Sequence, residues 1–332
     1  MSDSQDRRRL ARFHNRYSRA HHGPSWALLK FVAELATSPF EPPEVARVAP
    51  TVDALRSNRN ATTATWIGHA SFLLQQGGYN LLTDPVLSER ASPFSFAGPK
   101  RLQAPGLTLE TLPPIDLVLL SHDHYDHCDL PTLQALRQRD DPVIVAPLRL
   151  GQWLGRRGFD RWVELDWWEQ HQHQTLHIHA VPVQHFSGRA ALDRNRRLWA
   201  GFIIESPGWR CFFAGDSGYS RDFADIGARF APIDLALLPI GAYEPRAFMA
   251  PVHANPEEAV RMHQDLGARR SIGMHWGTFR LTTEPMNEPP QRLQAAMAAA
   301  GLPEEAFTTV ALGETLYLDE AAAETASADP GT

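Results

Sequence analysis

The sequence predicts an α/β fold in which two β-sheets pack face to face with helices on their outer faces. Three observations support this prediction: short apolar runs of strand length, two glycine-marked hairpins, and capped helical segments that lie between the strands. Two sheets covered by helices satisfy this order, because each apolar face is then buried against another. With 332 residues, of which 43% are hydrophobic, the chain can bury such a core without disulfide bonds.

The first group of strands begins with apolar runs at 64–75 and 79–83, which a Gly-Gly pair joins as a hairpin. A loop rich in Ser, Pro and Gly follows at 86–105. A buried strand at 115–120 comes next, with a helix behind it at Leu130–Arg139. A further short strand is predicted at 143–146, which completes the first group.

Further strands are predicted at 176–182, 199–206, 209–214, 233–240, 270–274 and 310–318, so that the body holds two groups of strands. A Pro-Gly pair joins two of these runs as a second hairpin. Between the strands, Asn255 is expected to cap a helix, Glu258 to complete its capping box, and Gly267 to end it. Another helix is predicted at 291–300, ending at Gly301.

Both ends of the chain differ in composition from the body at 51–318. Residues 1–50 hold an arginine-rich start, a short amphipathic helix at 26–35 and a proline-rich linker. Such an arm can lie on an anionic membrane, and the alternative is an arm that packs on the body. Residues 319–332 are rich in Ala, Glu, Ser and Thr, which predicts a disordered tail.

Composition excludes several classes of protein. Cys128 and Cys211 are the only cysteines, which excludes a disulfide framework and fits a reducing compartment. The net charge of −6 argues against broad binding of nucleic acid. No apolar run is long enough to span a bilayer, and no apolar segment follows the early arginines as a twin-arginine signal requires. We therefore expect a cytoplasmic protein without a signal peptide or a transmembrane segment.

The most informative stretch is SHDHYDH at 121–127, directly after an apolar strand. It holds four ligand-type residues, His122, His124, Asp126 and His127. Because a strand alternates its side chains, His122 and His124 can lie on one face, and the loop that follows can fold back toward them. Imidazole and carboxylate together suit zinc or another divalent transition metal.

Three further ligand-type residues follow apolar strands in the same way. His185 comes after the run that ends near residue 182, Asp216 after the run that ends at 214, and His275 after the run that ends at 274. Any one of them alone is more often a surface or hydrogen-bonded core residue. Repetition of this pattern beside the 121–127 motif favours a shared metal site.

The 121–127 motif is that of the metallo-β-lactamase superfamily, and the chain from about residue 50 to about 318 resembles the N-acylphosphatidylethanolamine-hydrolysing phospholipase D family. The stretches that carry the resemblance are TWIGHA at 65–70, LTDP at 82–85, RASP at 90–93, GPKR at 98–101, ELDWWE at 164–169, FAGDSGY at 213–219, PIGAYEPR at 239–246, NPEEAV at 255–260 and HWGTF at 275–279. The stretches at 243–246 and 275–279 are the most specific to this family.

The resemblance implies a four-layer αββα sandwich, with two mixed β-sheets flanked by helices, as the catalytic domain at 51–318. It also implies two zinc ions per chain and hydrolysis of N-acylphosphatidylethanolamine to an N-acylethanolamine and phosphatidic acid by a metal-bound hydroxide. The ligands that it assigns are His122, His124 and His185 for one ion, Asp126, His127 and His275 for the other, and Asp216 as the bridge between them.

Other polar residues receive weaker assignments. Asp84 is expected to support a ligand histidine, the alternative being an Asp-Pro turn. The family has a histidine near the scissile phosphate where His253 stands, so His253 is expected to orient the phosphate or protonate the leaving group, the alternative being a surface histidine. We interpret His69 as a satisfied core histidine without a role. The histidines interpreted as structural or exposed are His171, His173, His177 and His179.

The expected substrate is a phospholipid, and the resemblance also suggests a homodimer and peripheral contact with a membrane. We expect residues 1–50 to assist docking on anionic lipid without being needed for the chemistry. The segment 186–197 matches the family poorly, so the acyl preference stays open. Three alternatives remain: a lactonase acting on a sugar phosphate, a nuclease, which the acidic charge disfavours, and a non-catalytic scaffold, which the complete ligand set disfavours.

Overall fold

Two seven-stranded sheets form the centre of the fold. The computed structural model describes residues 7–18, 31, 33–35, 37–190 and 192–318. The strands within these residues are β1 Thr63–Gly68, β2 Ser71–Gln76, β3 Tyr79–Thr83, β4 Leu117–Leu119, β5 Val143–Pro147, β6 Trp162–Leu165, β7 Gln170–His173, β8 Leu176–Val181, β9 Gly201–Ser206, β10 Trp209–Phe213, β11 Ile233–Pro239, β12 Ala268–Met274, β13 Phe307–Thr308 and β14 Thr315–Tyr317. The helices are α1 Val52–Ser57, α2 Leu130–Arg139, α3 Leu150–Gly155, α4 Asp222–Phe230, α5 Arg246–Met249, α6 Pro256–Leu266 and α7 Glu288–Ala299, with a 3₁₀ turn at Glu304–Ala306.

Both sheets are mixed. The first has the order β14-β1-β2-β3-β4-β5-β6, and its strands β3 to β6 are parallel. The second has the order β13-β12-β11-β10-β9-β8-β7, and its strands β10 to β13 are parallel. Because the carboxyl ends of parallel strands meet at one edge of a sheet, the loops that follow these strands lie side by side.

The strand β4 shows how the layers are held together. Leu117 and Leu119 belong to the main apolar cluster between the two sheets, whereas Val118 and Leu120 belong to the cluster under α2 and α3. A strand that alternates between two buried faces must have a layer on each side of it. On the other side of the molecule, α6 packs on β11 and β12. The predicted arrangement of two mixed sheets flanked by helices is confirmed.

The predicted strand at 64–75 is wrong in one respect, because the structure divides it into β1 and β2. The chain turns at Gly68 and His69, whose φ angles are 131° and 55°, and the pairing register shifts there. All residues of β1 and β2 are buried, so the hydrophobic pattern carries no sign of the turn. The predicted strand at 310–318 is also shorter than expected and comprises β14 alone.

The capping box of α6 is confirmed. Asn255 Oδ1 accepts a hydrogen bond from the backbone N–H of Glu258 at 2.9 Å, and the Glu258 carboxylate accepts one from the Asn255 N–H at 3.2 Å. The helix ends at Gly267, which adopts the left-handed conformation. These contacts fix the start of α6, and hence the position of His253 just before it.

The described residues of the N-terminal arm, 7–18, lie against the body. Phe13 is fully buried in the main apolar cluster. Arg16 Nη1 lies 2.7 Å from the Asp222 carboxylate, and Arg7 Nε lies 2.8 Å from that of Asp166. These contacts support the alternative in which the arm packs on the body. The predicted helix at 26–35 lies mostly outside the described residues, and so does the tail at 319–332. Among the residues that the structure does describe, no helix has the length and apolar character needed to cross a bilayer.

Candidate metal centre

Strand ends from both sheets deliver ligand-type side chains to one place. His69 follows β1, Asp84 follows β3, and the 121–127 motif follows β4 in the first sheet. In the second sheet, His185 follows β8, Asp216 follows β10 and His275 follows β12. The site therefore lies between the two sheets, at the edge where their strands end.

The ligand-type atoms gather into two neighbouring groups of four, which two groups of three overlap: Asp84 with His122 and His127, and Asp216 with His253 and His275. Within each group these atoms all lie within 4.8 Å of one another. One group of four consists of His122, His124, His185 and Asp216, and the other of His69, Asp126, His127 and His275. The structure thus brings together all seven residues that the resemblance assigns as ligands.

Asp216 lies between the two groups. Its Oδ2 atom is 3.1 Å from His127 Nε2 and 3.7 Å from His185 Nε2. Its Oδ1 atom is 3.1 Å from His275 Nε2. A carboxylate in this position can reach an ion in either group, which is the place expected of the predicted bridging ligand.

The donor atoms of the site fit divalent cations. His127 Nε2, His275 Nε2 and Asp216 Oδ1 are buried and make no hydrogen bond within the described part of the chain. Buried polar atoms in proteins are nearly always paired, so three such atoms pointing at one place indicate a missing positive partner. The set contains nitrogen and oxygen donors and no thiolate, which suits zinc and related transition metals.

Charges within the site oppose the effect of burial on several pKa values. Burial raises the pKa of Asp216, but His127 and His275 outweigh it and hold this pKa well below its ordinary value. Burial lowers the pKa of His275, but the nearby carboxylates of Asp216 and Asp126 raise it to about 9. Burial holds the pKa values of His122 and His185 well below 6.5, which leaves both imidazoles neutral. Neutral imidazole is the form that binds a metal.

Asp84 holds His127 in place. Its buried carboxylate accepts hydrogen bonds from Ser121 N–H at 2.7 Å, from the Ser121 hydroxyl, and from His127 Nδ1 at 2.7 Å. Since a carboxylate accepts, Nδ1 of His127 carries a proton, and Nε2 lies 3.1 Å from Asp216 Oδ2. Burial raises the pKa of Asp84, while His127 and Ser121 act in the opposite direction. This is the geometry expected of the predicted supporting carboxylate.

His69 does not behave as the satisfied core histidine that we expected. Its Nε2 lies 3.0 Å from Asp126 Oδ2, its ring centroid lies 3.9 Å from that of His275, and its buried Nδ1 has no hydrogen-bond partner within the described residues. Burial lowers the pKa of His69 to about 3. The sequence does contain a signal for this position of His69, because His69 follows an apolar strand as the other ligand-type residues do.

Three non-glycine residues of the site have left-handed backbones. The φ angles are 55° at His69, 32° at Asp84 and 63° at His275. Such conformations cost about 1–3 kcal/mol each and cluster at functional sites. Here each directs a side chain from a strand end into the space between the sheets.

His253 lies beside the two groups, as the resemblance predicts. Its Nδ1 is 4.0 Å from Asp216 Oδ2 and has no hydrogen-bond partner in the described chain. Arg246, from the stretch most specific to the family, donates to the His253 carbonyl at 2.8 Å and to the Glu258 carboxylate at 2.7 Å. Burial lowers the pKa of His253 to about 4. The family-specific stretch therefore fixes the backbone of His253 relative to α6.

The remaining histidines singled out by the sequence lie apart from the site. His171 and His173 stand on β7, at the edge of the second sheet. His179, on β8, pairs with Glu205 at 2.7 Å. None of these, nor His177, belongs to a metal-capable group among the described residues, in agreement with their interpretation as structural or exposed.

The segment 186–197 is anchored to the metal motif through Asp123. The Asp123 carboxylate accepts from Gly188 N–H at 2.7 Å and from the Arg197 guanidinium. Arg189 Nη1 donates to the Asp123 and Cys128 carbonyls at 2.7 and 2.8 Å. Hydrogen bonds therefore hold this loop against the metal motif, although its sequence matches the family poorly.

Comparisons with known proteins agree with this architecture. The model of the beta-lactamase superfamily domain matches residues 79–276, more than half of the chain. An N-acyl-phosphatidylethanolamine-hydrolyzing phospholipase D 1 of Caenorhabditis elegans is 42% identical over 264 residues, which cover 76% of this chain and 74% of that protein. An uncharacterized protein of Mycobacterium tuberculosis is 45% identical over 246 residues, 73% of this chain, and the chain spans only 65% of that relative's length.

A solved structure of low sequence identity shares the fold of this chain. A possible metal-dependent hydrolase from Veillonella parvula superposes with a TM-score of 0.63 at 18% identity, covering 78% of this chain and 100% of that one. The family model and the nematode relative identify the sequence family more narrowly than this fold does. The chain belongs to the beta-lactamase superfamily and, within it, to the family of N-acyl-phosphatidylethanolamine-hydrolyzing phospholipases D.

Proposed function

We propose that this protein is a metal-dependent phosphodiesterase of phospholipase D type, which hydrolyses N-acylphosphatidylethanolamine to an N-acylethanolamine and phosphatidic acid. The observation that carries the proposal is the position of Asp216 between two groups of ligand-type atoms. Paired metal sites of this kind favour in-line displacement at phosphorus. The identity to the nematode protein, whose name states this activity, supports the choice of substrate.

Zinc is the proposed metal, with two ions per chain. His122, His124 and His185 would hold one ion, Asp126, His127 and His275 would hold the other, and Asp216 would contact both. His69 joins the second group in the structure, so it is a further candidate ligand or a partner for Asp126. When bound, such ions supply an ionised water as nucleophile and polarise the phosphoryl oxygens.

The chain itself orients the reacting groups. Asp84 binds Nδ1 of His127, which would leave Nε2 to hold an ion. Asp126 and Asp216 offset the charge of the two cations. His253 is well placed to donate a hydrogen bond to a phosphoryl oxygen, because its buried Nδ1 faces the site without a partner.

In the proposed reaction the oxygen of water adds to phosphorus and the bond from phosphorus to the ethanolamine oxygen breaks. The water loses its proton and the departing alcohol gains one. The second product is a phosphatidic acid that carries the oxygen from water. We further propose that residues 51–318 form the catalytic domain, that the protein forms a homodimer, and that it reaches its phospholipid substrate by peripheral contact with a membrane.

In the test, the full chain is first loaded with zinc. It is then incubated with vesicles that contain N-acylphosphatidylethanolamine, in water enriched in ¹⁸O. We expect N-acylethanolamine without label and phosphatidic acid with label in its phosphate, measured by mass spectrometry. Phosphatidylcholine vesicles, a sugar-phosphate lactone and a nucleic acid serve as comparison substrates. Turnover of the lactone or the nucleic acid with none of the lipid would contradict the proposal, as would label in a released fatty acid.

A further inference from the structure

A second cavity lies beside the loop at 186–197, lined by none of the candidate metal ligands. Its volume is about 480 Å³, comparable with a small-ligand site. Three segments far apart in the sequence meet in it: the N-terminal arm, the helix α3 with its flanking residues, and the end of the loop. Its charged lining residues are Arg12, Arg149, Arg156, Asp193, Arg196 and Arg197.

The charge of this lining contrasts with the rest of the protein. Five arginines face one aspartate in the cavity, whereas the whole chain carries a net charge of −6. The negative charge of Asp193 is already compensated, because its carboxylate forms an ion pair with Arg197. A strong positive potential is therefore concentrated in a concave surface, where it attracts anions most effectively.

Four of the five arginines have no carboxylate partner in the described part of the chain. Arg149 donates to the backbone carbonyls of Arg8 at 3.0 Å and Leu10 at 2.5 Å, and Arg12 donates to carbonyls of the loop. Carbonyl groups satisfy hydrogen bonds but leave the charge uncompensated. Arg156 and Arg196 are exposed and make neither a side-chain hydrogen bond nor an ion pair there.

Two arginines that lie near the cavity without lining it, Arg194 and Arg157, are repelled by neighbouring arginines. Burial lowers the pKa of Arg194, and the nearby Arg12 lowers it further. Burial also lowers the pKa of Arg157, with Arg189 and Arg197 adding to the effect. Asp123 and Asp193 compensate the charge of Arg197, and a bound anion would compensate the other lining arginines, which have no carboxylate partner in the described chain.

We propose that the cavity is a binding site for a phosphomonoester group, carried by a soluble phosphate ester or by a lipid headgroup. A phosphomonoester has a charge of about −1.5 to −2 at neutral pH and three acceptor oxygens. Guanidinium groups bind such oxygens in a planar, two-pronged geometry, so several arginines around one cavity match it better than they match a carboxylate or a phosphodiester. This site is independent of the proposed hydrolysis, which takes place at the metal centre.

The test compares the full wild-type chain with two double variants that each remove two exposed arginines. The first variant, Arg156→Gln with Arg196→Gln, changes the cavity. The matched control, Arg59→Gln with Arg229→Gln, removes the same charge from exposed arginines that do not line the cavity. Zinc content should be the same in all three proteins, because none of the four side chains contacts a candidate ligand. Melting temperatures are measured as a check on folding, since Arg59 donates to two carbonyls and Arg229 lies over the Trp168 ring.

Binding of inorganic phosphate and of glycerol phosphate is measured by calorimetry. Binding to vesicles is measured by sedimentation, with phosphatidylcholine alone or with added phosphatidic acid or phosphatidylserine. We expect the cavity variant to bind the phosphomonoester probe about tenfold more weakly for each arginine removed, and the control to match the wild type. A loss seen with glycerol phosphate identifies a soluble ester as the ligand, and a loss confined to phosphatidic acid vesicles identifies a lipid headgroup.

Two outcomes would overturn the proposal. If all three proteins bind phosphate equally, the anion occupies only the metal centre. If both double variants lose vesicle binding equally, and phosphatidylserine acts like phosphatidic acid, the effect is general attraction between charges. Should the cavity double variant fail to fold, the single variants Arg156→Gln and Arg196→Gln carry the same comparison.

Discussion

The side-chain amide of Asn15 pairs with the backbone of His185 as a neighbouring strand would. Its Nδ2 donates to the His185 carbonyl at 3.0 Å, and the His185 N–H donates to Oδ1 at 3.1 Å. Trp199 Nε1 donates to the same Oδ1 at 3.0 Å. The ring of His185 is fixed separately, through Nδ1 and the carbonyl of Val252 at 2.9 Å. A residue of the N-terminal arm thus positions a candidate metal ligand.

Replacing Asn15 by Ala should weaken metal binding, because the backbone of His185 loses both hydrogen bonds that locate it. We expect a loss of about 10–100-fold in zinc affinity, as for other residues that support a ligand. Competition with a chromophoric chelator measures it. The control Tyr17→Phe removes an arm-to-body hydrogen bond, from Tyr17 Oη to Asp225 at 2.6 Å, without touching His185. Equal zinc affinity in the Asn15→Ala variant and the wild type would remove Asn15 from this role.

Deleting residues 1–24 should lower the melting temperature clearly. The deletion removes Phe13, which is fully buried, and loss of a buried phenylalanine costs about 3–5 kcal/mol. It also removes the ion pair of Arg16 with Asp222. Differential scanning calorimetry on the full and truncated chains gives the comparison. If the truncated chain has the same melting temperature as the full chain but binds anionic vesicles more weakly, the arm is a docking element instead.

The wild-type protein should contain about two zinc ions per chain, and Asp216→Asn should lose turnover while it stays folded. A neutral amide cannot offset the charge of two cations as the carboxylate does. Elemental analysis and circular dichroism provide the measurements, with Asp141→Asn as a control at an exposed carboxylate. Full activity of the wild type in excess chelator, or of Asp216→Asn, would show that the chemistry does not need this centre.

Replacing His253 by Gln should lower kcat by about 10²–10³-fold and leave the zinc content unchanged. The reason is that its unpaired Nδ1 faces the site from outside both groups of four. His253 also forms a group of three with Asp216 and His275, so zinc content is measured alongside kcat. His179→Gln is the control, since His179 pairs with Glu205 on the second sheet. If His253→Gln loses zinc, His253 is a metal ligand. If its kcat equals that of the wild type, His253 takes no part in the reaction.

Gly215→Ala should destabilise the protein and weaken zinc binding, whereas Gly208→Ala should only destabilise it slightly. Both glycines have positive φ angles, 59° and 77°. A Cβ atom on Gly215 would lie 2.4 Å from that of Ser121, which holds Asp84, while one on Gly208 would meet nothing within 4 Å. Urea denaturation and zinc titration separate the two effects. Similar zinc affinities in both variants would show that the packing of Gly215 against Ser121 does not affect the metal site.

The sequence predicted those parts of the site whose signal is local. His122, His185, Asp216 and His275 each follow an apolar strand, and strand ends of one sheet must meet at its edge. The role of His69 was missed because β1 and β2 are buried on both faces, so the pattern hides the turn between them. The pairing of Asn15 with His185 spans 170 residues and leaves no local sign. The arginines of the cavity are similarly scattered along the chain.

The order of the ligand-type residues along the chain has a consequence for biosynthesis. The 121–127 motif leaves the ribosome well before Asp216, and His275 emerges last of all. The group that contains His122, His124, His185 and Asp216 is present in the chain before β11 is translated, whereas the other group waits for His275 after β12. Even then β14 must still pair with β1 to close the first sheet. Since a metal site is completed by folding, the group that includes His275 cannot hold a metal ion until β12 has been translated and has joined its sheet.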